Sequence, residues 1–228
     1  MVFPAVNDSQ RGIGMTSART RDRLIERLRA EGITSTAVLE RMRAVPRHIF
    51  VDEALASRAY EDTALPIGYG QTISQPFVVA VMTQALIEGV PGGKLKRVLE
   101  IGTGCGYQTA VLAAFAQHVY SVERIQPLVQ RARSNLSELK ISNVSLRHAD
   151  GWHGWRSQAP FHGILAAAAP EEVPPELCEQ LEEGGRLIIP IGRRGRQDLL
   201  RITREGTEFR REELLAVSFV PFVEGTET

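Results

Sequence analysis

Residues 98–110 read VLEIGTGCGYQTA, an apolar run that breaks into glycines at alternating positions, Gly102, Gly104 and Gly106, before a helix-forming segment begins. Strand, glycine-rich turn and helix in that order mark a parallel α/β unit, in which the turn lets backbone approach a ligand at the carboxyl end of the strand. Two phosphate-binding readings fail on spacing. A GxGxxG dinucleotide loop needs its third glycine at 107, where Tyr107 stands, and a GxxxxGK[ST] loop needs a lysine that follows none of these glycines. What remains is ExGxGxG, built from Glu100, Gly102, Gly104 and Gly106. That form suits a ligand with an amino-acid moiety and a nucleoside but no pyrophosphate, and S-adenosylmethionine is such a ligand.

Outward from this loop the pattern alternates. Helices are predicted at 77–88, 106–117, 126–139 and 174–182, and strands at 97–101, 118–123, 144–148, 161–167 and 186–191. Such alternation argues for a mainly parallel sheet with helices on both faces. Segments 198–204 and 214–223 are strand-like with a turn around Gly206 and a charged stretch between them, and are expected to close the sheet as antiparallel strands. Strand 118–123 ends at Glu123, about twenty residues past Gly102, where a carboxylate would accept ribose hydroxyls. The next strand ends in HADGW, with Asp150 in the loop that would border the adenine ring. Upstream, Ala18–Ala30 and the stretch from Ser35 or Thr36 to Val45 read as helices of an N-terminal cap. Residues 57–76, SRAYEDTALPIGYGQTISQP, read as a long irregular segment of the kind that carries function. A disordered tail is expected over 1–19, with Met15 a candidate start, followed by one domain over 20–228: cap and substrate segment 20–76, cofactor-binding core 77–192, C-terminal strands 193–228.

Lysine plus arginine (27) equals aspartate plus glutamate (27), which removes the basic field of most nucleic-acid binders and favours a small-molecule or protein substrate. No apolar segment has signal-peptide or membrane-span length, so a cytoplasmic protein without membrane association is expected. Cys105 and Cys178 form no CxxC pair, and His118, His148, His153 and His162 share no ligand spacing, so neither a disulfide framework nor a metal site is indicated. Trp152 and Trp155 read first as packing residues. Arg193, Arg194 and Arg196 read as a solvated loop.

The segments RHIFVDEALASRAYEDTALPIGYGQTISQP (47–76), VLEIGTGCGYQTA, YSVERI, RHADGWHGW and EEGGRLIIPIG together resemble the bacterial protein-L-isoaspartate O-methyltransferases, from Arg19 to Val223. QTISQP is the specific part, since GxGxG is common to many methyltransferases. The resemblance implies a Rossmann-like class I S-adenosylmethionine-dependent fold; a monomer with no nucleic-acid partner and no metal is expected. It implies methyl transfer to the free α-carboxylate of L-isoaspartyl, and more weakly D-aspartyl, residues in damaged proteins, with S-adenosyl-L-homocysteine as product. The ester then collapses to a succinimide, and repeated cycles restore aspartate. By the same resemblance Ser74 is the active-site serine, with Thr72, Ile73 and Gln75 beside it on the substrate. Glu100, Gly102, Gly104 and Gly106 form the methionine-side loop, Glu123 is the ribose carboxylate, and Asp150 with Gly151 contacts adenine. The sequence departs from the family at FHGILAAAAP (161–170), where His162 replaces an acidic residue.

The chemistry agrees. LAAAAPEEVPPE at the fourth strand end offers no aspartate for a metal and no [DNS]PP[YF] segment for an amino group, so neither a Lewis acid nor a general base is evident. A carboxylate nucleophile needs neither, being ionised at neutral pH with a reference pKa of about 4. Alone, Ser74 would read as a turn serine. It lacks the GxSxG elbow of a nucleophile, so its expected work is to orient a carboxylate oxygen by a hydrogen bond. The alternative is a small-molecule or nucleic-acid methyltransferase on the same fold.

Overall fold

The computed structural model describes residues 14–228. The expected tail therefore lies outside the described residues up to 13, while Gly14–Thr16 form a 3-10 turn and helix already begins at Ala18. Helix α1 (Ala18–Ala30) buries Leu24, Ile25 and Leu28, one stripe at helical spacing, against helix α2 (Thr36–Ala44), which buries Val38, Leu39 and Met42. The Ser35 hydroxyl caps α2 by accepting the Val38 N–H.

The stretch read as irregular is more ordered than expected. It begins in the last residues of a 3-10 turn at Glu53–Arg58 and holds a β-hairpin, strand β1 (Leu65–Gly68) against strand β2 (Gln71–Ile73). Tyr69 and Gly70 both take positive φ (55° and 67°), the combination a two-residue hairpin turn requires. The strands are too short, and too broken by Pro66 and Gly68, for alternation to show in the sequence. Helix α3 (Pro76–Ile87) follows at once, with Pro76 in the first helical position, where a missing N–H costs nothing.

The core alternates as predicted: strand β3 (Leu95–Ile101), helix α4 (Tyr107–Leu112), strand β4 (Ala116–Glu123), helix α5 (Gln126–Glu138), strand β5 (Val144–His148), strand β6 (Phe161–Ala166), helix α6 (Pro175–Glu179), strand β7 (Leu181–Arg193), strand β8 (Arg196–Glu205) and strand β9 (Glu208–Val217). The seven strands β3–β9 form one sheet in the order β5-β4-β3-β6-β7-β8-β9; β3 to β7 pair in parallel, and β8 and β9 are antiparallel. Val98, Leu99, Val119, Val122, Ile164 and Leu165 are buried at the sheet centre, as strands covered on both faces require.

Three predicted boundaries moved. The helix expected at 174–182 spans only Pro175–Glu179, because the chain enters β7 at Leu181 and not at 186. Helix α4 stops at Leu112, not 117, because the chain turns back at Ala113–Phe115 to enter β4. The last strand is 208–217 instead of 214–223, so the charged stretch EFRREE belongs to it. As the sheet edge, β9 tolerates charge, and Arg201 of β8 pairs across it with Glu212 at 2.9 Å. His162, at the departure from the family pattern, meets Glu182 at 2.8 Å. No helix among the described residues is long and apolar enough to cross a membrane.

Candidate functional site

The carboxyl ends of β3, β4 and β6 open into a cleft. Its position follows from topology: order reverses between β3 and β6, and the loops after those strands part there. Gly102 and Gly106 adopt φ of +88° and +89°, which an L side chain rarely adopts. A Cβ on Gly106 would also lie 3.2 Å from the Ala132 Cβ of α5, so the glycine sets helix contact as well as backbone turn.

The expected site residues divide by depth. Gly102, Gly104, Glu123, Gly151, Thr72, Ile73 and Ser74 line the cleft. Glu123 is 5% exposed; its Oε2 accepts the Gly104 N–H at 2.8 Å and its Oε1 the Ile125 N–H at 3.0 Å. Burial raises its pKa, and these backbone donors act against that rise by favouring the charged form. Each oxygen keeps a lone pair for a further donor. Ser74 is half-buried, and among the described residues no partner holds its hydroxyl.

Four expected residues are not on this wall. Gly106 starts α4 behind the loop. Glu100 is fully buried beneath it, where Oε2 accepts the Ser121 and Thr109 hydroxyls at 2.5 Å each and Oε1 has no partner. Asp150 is not among the residues that line the cleft: one oxygen accepts the Trp152 N–H at 2.8 Å and the other the Gly225 N–H at 2.7 Å. Gln75 donates its amide to Asp62. Trp152 packs on Phe222 and Trp155 on Tyr120, neither on the cleft wall.

Burial lifts the Glu100 carboxyl to about 7, against the pull of the Ser121 and Thr109 hydroxyls and with a smaller push from Glu123. A group whose folded pKa exceeds its unfolded value holds its proton longer in the native state, so its contribution to stability is present below about pH 4.5 and is lost as pH rises to about 7. Denaturant titrations of Glu100→Gln are expected to show a flatter dependence over that window than the parent; an unchanged slope would contradict a protonated Glu100.

Val220–Val223, a segment the sequence pattern predicts as strand, also lines the cleft, which sequence reasoning does not anticipate. Ala169 and this segment exchange N–H···O bonds of 2.9 Å through Val220 and Phe222, and Glu227 pairs with Arg124 and Gln126 backbone. A bulky neighbour at Gly151, Phe222, packs within 3.4 Å of where a Cβ would stand. The apolar VPFV tetrapeptide has no feature to separate a cleft cover from a strand. Thr103, Cys105 and Gln108 also line the cleft and carried no signal beyond their place in the loop.

A second groove opens from the first and shares Thr72, Ser74, Ala167 and Val220 with it. Phe77, Val78, Leu215 and Phe219 contribute its apolar walls, and no charged residue lines it. Ser74 thus stands where one compartment meets the other. Among the described residues, no group of three or more His, Cys, Asp or Glu is placed to hold a metal ion.

Comparison with known proteins follows the same outline. The model of the family described as Protein-L-isoaspartate(D-aspartate) O-methyltransferase matches residues 19–227. The chain is 57% identical over 214 residues to the protein-L-isoaspartate O-methyltransferase of Alcanivorax borkumensis, covering 94% of this chain and 96% of that one. Among solved structures, one titled protein-L-isoaspartate O-methyltransferase superposes with a TM-score of 0.78 at 29% identity, over 88% of this chain and 65% of that chain. A protein from Plasmodium falciparum, titled a putative protein-L-isoaspartate O-methyltransferase in complex with S-adenosyl-L-homocysteine, gives 0.77 at 28% identity, over 89% of this chain and 98% of that one.

Proposed function

The chain belongs to the protein-L-isoaspartate(D-aspartate) O-methyltransferase family, and we propose on that footing that it methylates the free α-carboxylate of L-isoaspartyl, and more weakly D-aspartyl, residues in damaged proteins. The observation that carries this reading is the position of Ser74 between the glycine-lined cleft and an uncharged groove. The cleft suits S-adenosylmethionine: positive-φ glycines leave backbone open at one end, and a buried carboxylate with spare lone pairs stands at the rim. When bound, that cofactor supplies an electrophilic methyl on a sulfonium.

The residues divide the work. Gly102 and Gly104 present backbone to the methionine moiety, while Glu100 and Gly106 shape the loop from behind. Glu123 accepts the ribose hydroxyls. Gly151 borders the adenine, and Asp150 serves that end by holding Trp152 and the Gly225 turn of the covering segment. Ser74 donates to one carboxylate oxygen of the substrate, and Thr72, Ile73 and Gln75 fix the peptide beside it. Since the nucleophile is already ionised, orientation in line with the methyl supplies the catalysis and no proton acceptor is needed. The resulting ester is activated toward attack by the neighbouring backbone nitrogen, which closes the succinimide and frees methanol. Hydrolysis of that ring returns a share of the chain to ordinary aspartate.

A groove without lysine or arginine supports a peptide over a phosphate backbone. The test gives the protein labelled S-adenosylmethionine with an isoaspartyl peptide or with RNA; label is expected in the peptide alone, and label in RNA alone would favour the nucleic-acid reading. Ser74→Ala is expected to lower turnover on the peptide by about 10-fold or more with cofactor affinity unchanged. Full activity in that variant, or a trapped seryl intermediate in the parent, would contradict the orienting role.

A further inference from the structure

We propose that Asp62 is a positioning residue that sets the place of the Ser74 hydroxyl, an inference that rests on the orienting role given to Ser74 above. Ser74 follows strand β2 and precedes helix α3 by one residue. On one side it is held by the hairpin ladder, where Ile73 is buried and pairs with Leu65. On the other side the holding group comes from upstream: Asp62 Oδ1 accepts the Phe77 N–H at 2.8 Å, and Oδ2 accepts the Gln75 side-chain amide at 2.6 Å.

The sequence makes this grip necessary. Pro76 at the first helical position has no N–H, and Gln75 supplies no side-chain cap, so Phe77 carries the first backbone donor of α3. Asp62 satisfies it from 15 residues earlier while also anchoring the Gln75 side chain. Because Asp62 lies three residues before β1 and grips the chain just after β2, it closes the base of the hairpin. The only link left between the two anchored points is Ser74 itself. Removing the carboxylate takes both side-chain contacts from the Gln75–Phe77 end and leaves it the helical bond from the Val79 N–H to the Gln75 carbonyl, so the hydroxyl has a less firmly fixed neighbour on that side.

A helix cap with no bearing on chemistry would lower stability alone, so the experiment is a kinetic double-mutant cycle on the full-length protein with an isoaspartyl peptide and saturating S-adenosylmethionine. Asp62→Ala is expected to lower kcat by about 10-fold or more, with cofactor affinity by calorimetry unchanged. In the Ser74→Ala background the same change is expected to cost less than about 2-fold, because the group it positions is already gone. Asp62→Asn is expected to restore most of the rate: its oxygen still accepts from Phe77, and the Gln75 amide can turn to face its NH2. Asp62→Glu keeps charge and acceptors but displaces them by a methylene, so it carries the same cycle if the alanine variant does not fold.

Parental kcat in Asp62→Ala, an undiminished effect in the Ser74→Ala background, or Asp62→Asn as impaired as Asp62→Ala would overturn the positioning role. Full activity of Ser74→Ala overturns that role together with the orienting role of the serine. A parent protein inactive on the isoaspartyl peptide, yet folded and binding cofactor, overturns the functional reading and the positioning role with it.

Discussion

Replacing Glu123 by alanine is expected to raise the dissociation constant for S-adenosylmethionine by about 10- to 150-fold, which corresponds to about 1.5–3 kcal/mol for charge-assisted hydrogen bonds lost from a buried acceptor. The effect has two sources. The ribose hydroxyls lose an anionic partner, and the Gly104 and Ile125 N–H groups that now bond Glu123 are left without it, so the glycine turn loses its fastening to the end of β4. Glu123→Gln separates them, since one amide oxygen can still accept from the backbone while the charge is gone. Its affinity is expected to fall between parent and alanine variant. At saturating cofactor the KM for isoaspartyl peptide is expected to stay near the parental value, because Glu123 does not line the groove beyond Ser74. Calorimetry decides: parental affinity in a folded Glu123→Ala variant would remove this residue from the cofactor site.

What was legible in the sequence was whatever depends on local pattern. The glycines at 102, 104 and 106 fall in the turn between β3 and α4 and Glu123 falls at the end of β4, as the local pattern predicts, because turn chemistry and strand ends are set within a few residues. The hairpin at 65–73 was hidden by strands of four and three residues, below the length at which alternation can be counted. Strand β9 was displaced because an edge strand alternates charge with partners on β8 and shows no continuous apolar face. Asp150 illustrates a different limit. Its position at a strand end is readable, but its carboxylate also holds Trp152 and Gly225, a residue 75 positions away that no local pattern connects to it. The same holds for the cover at Val220–Val223 and for Asp62, whose partners lie on other elements.

The larger expected effect concerns the substrate. Of two peptides with identical composition, one carrying isoaspartate and the other ordinary aspartate at the same position, the first is expected to be methylated on the order of 100-fold faster. In the isoaspartyl linkage the chain runs through the β-carbon, so the free carboxylate hangs directly from Cα; in aspartate it lies one methylene farther out. The groove from Thr63 to Val78 on one side and from Leu215 to Val220 on the other gives a peptide two walls without a charge among the described residues, while Ser74 lines both the groove and the cleft. A peptide backbone fixed by those walls presents its carboxylate at one distance only. A misplacement of about 1 Å costs on the order of 100-fold in rate, and the displaced carboxylate also forfeits the serine hydrogen bond. The absence of a charged side chain in the groove removes the means by which a misplaced carboxylate might be drawn back into line.

The most direct test of this account is base-labile methyl incorporation from labelled S-adenosylmethionine into the two peptides at equal concentration. The account predicts incorporation into the isoaspartyl peptide, with the aspartyl peptide near background; comparable incorporation into both would contradict it and make the protein a general carboxyl methyltransferase.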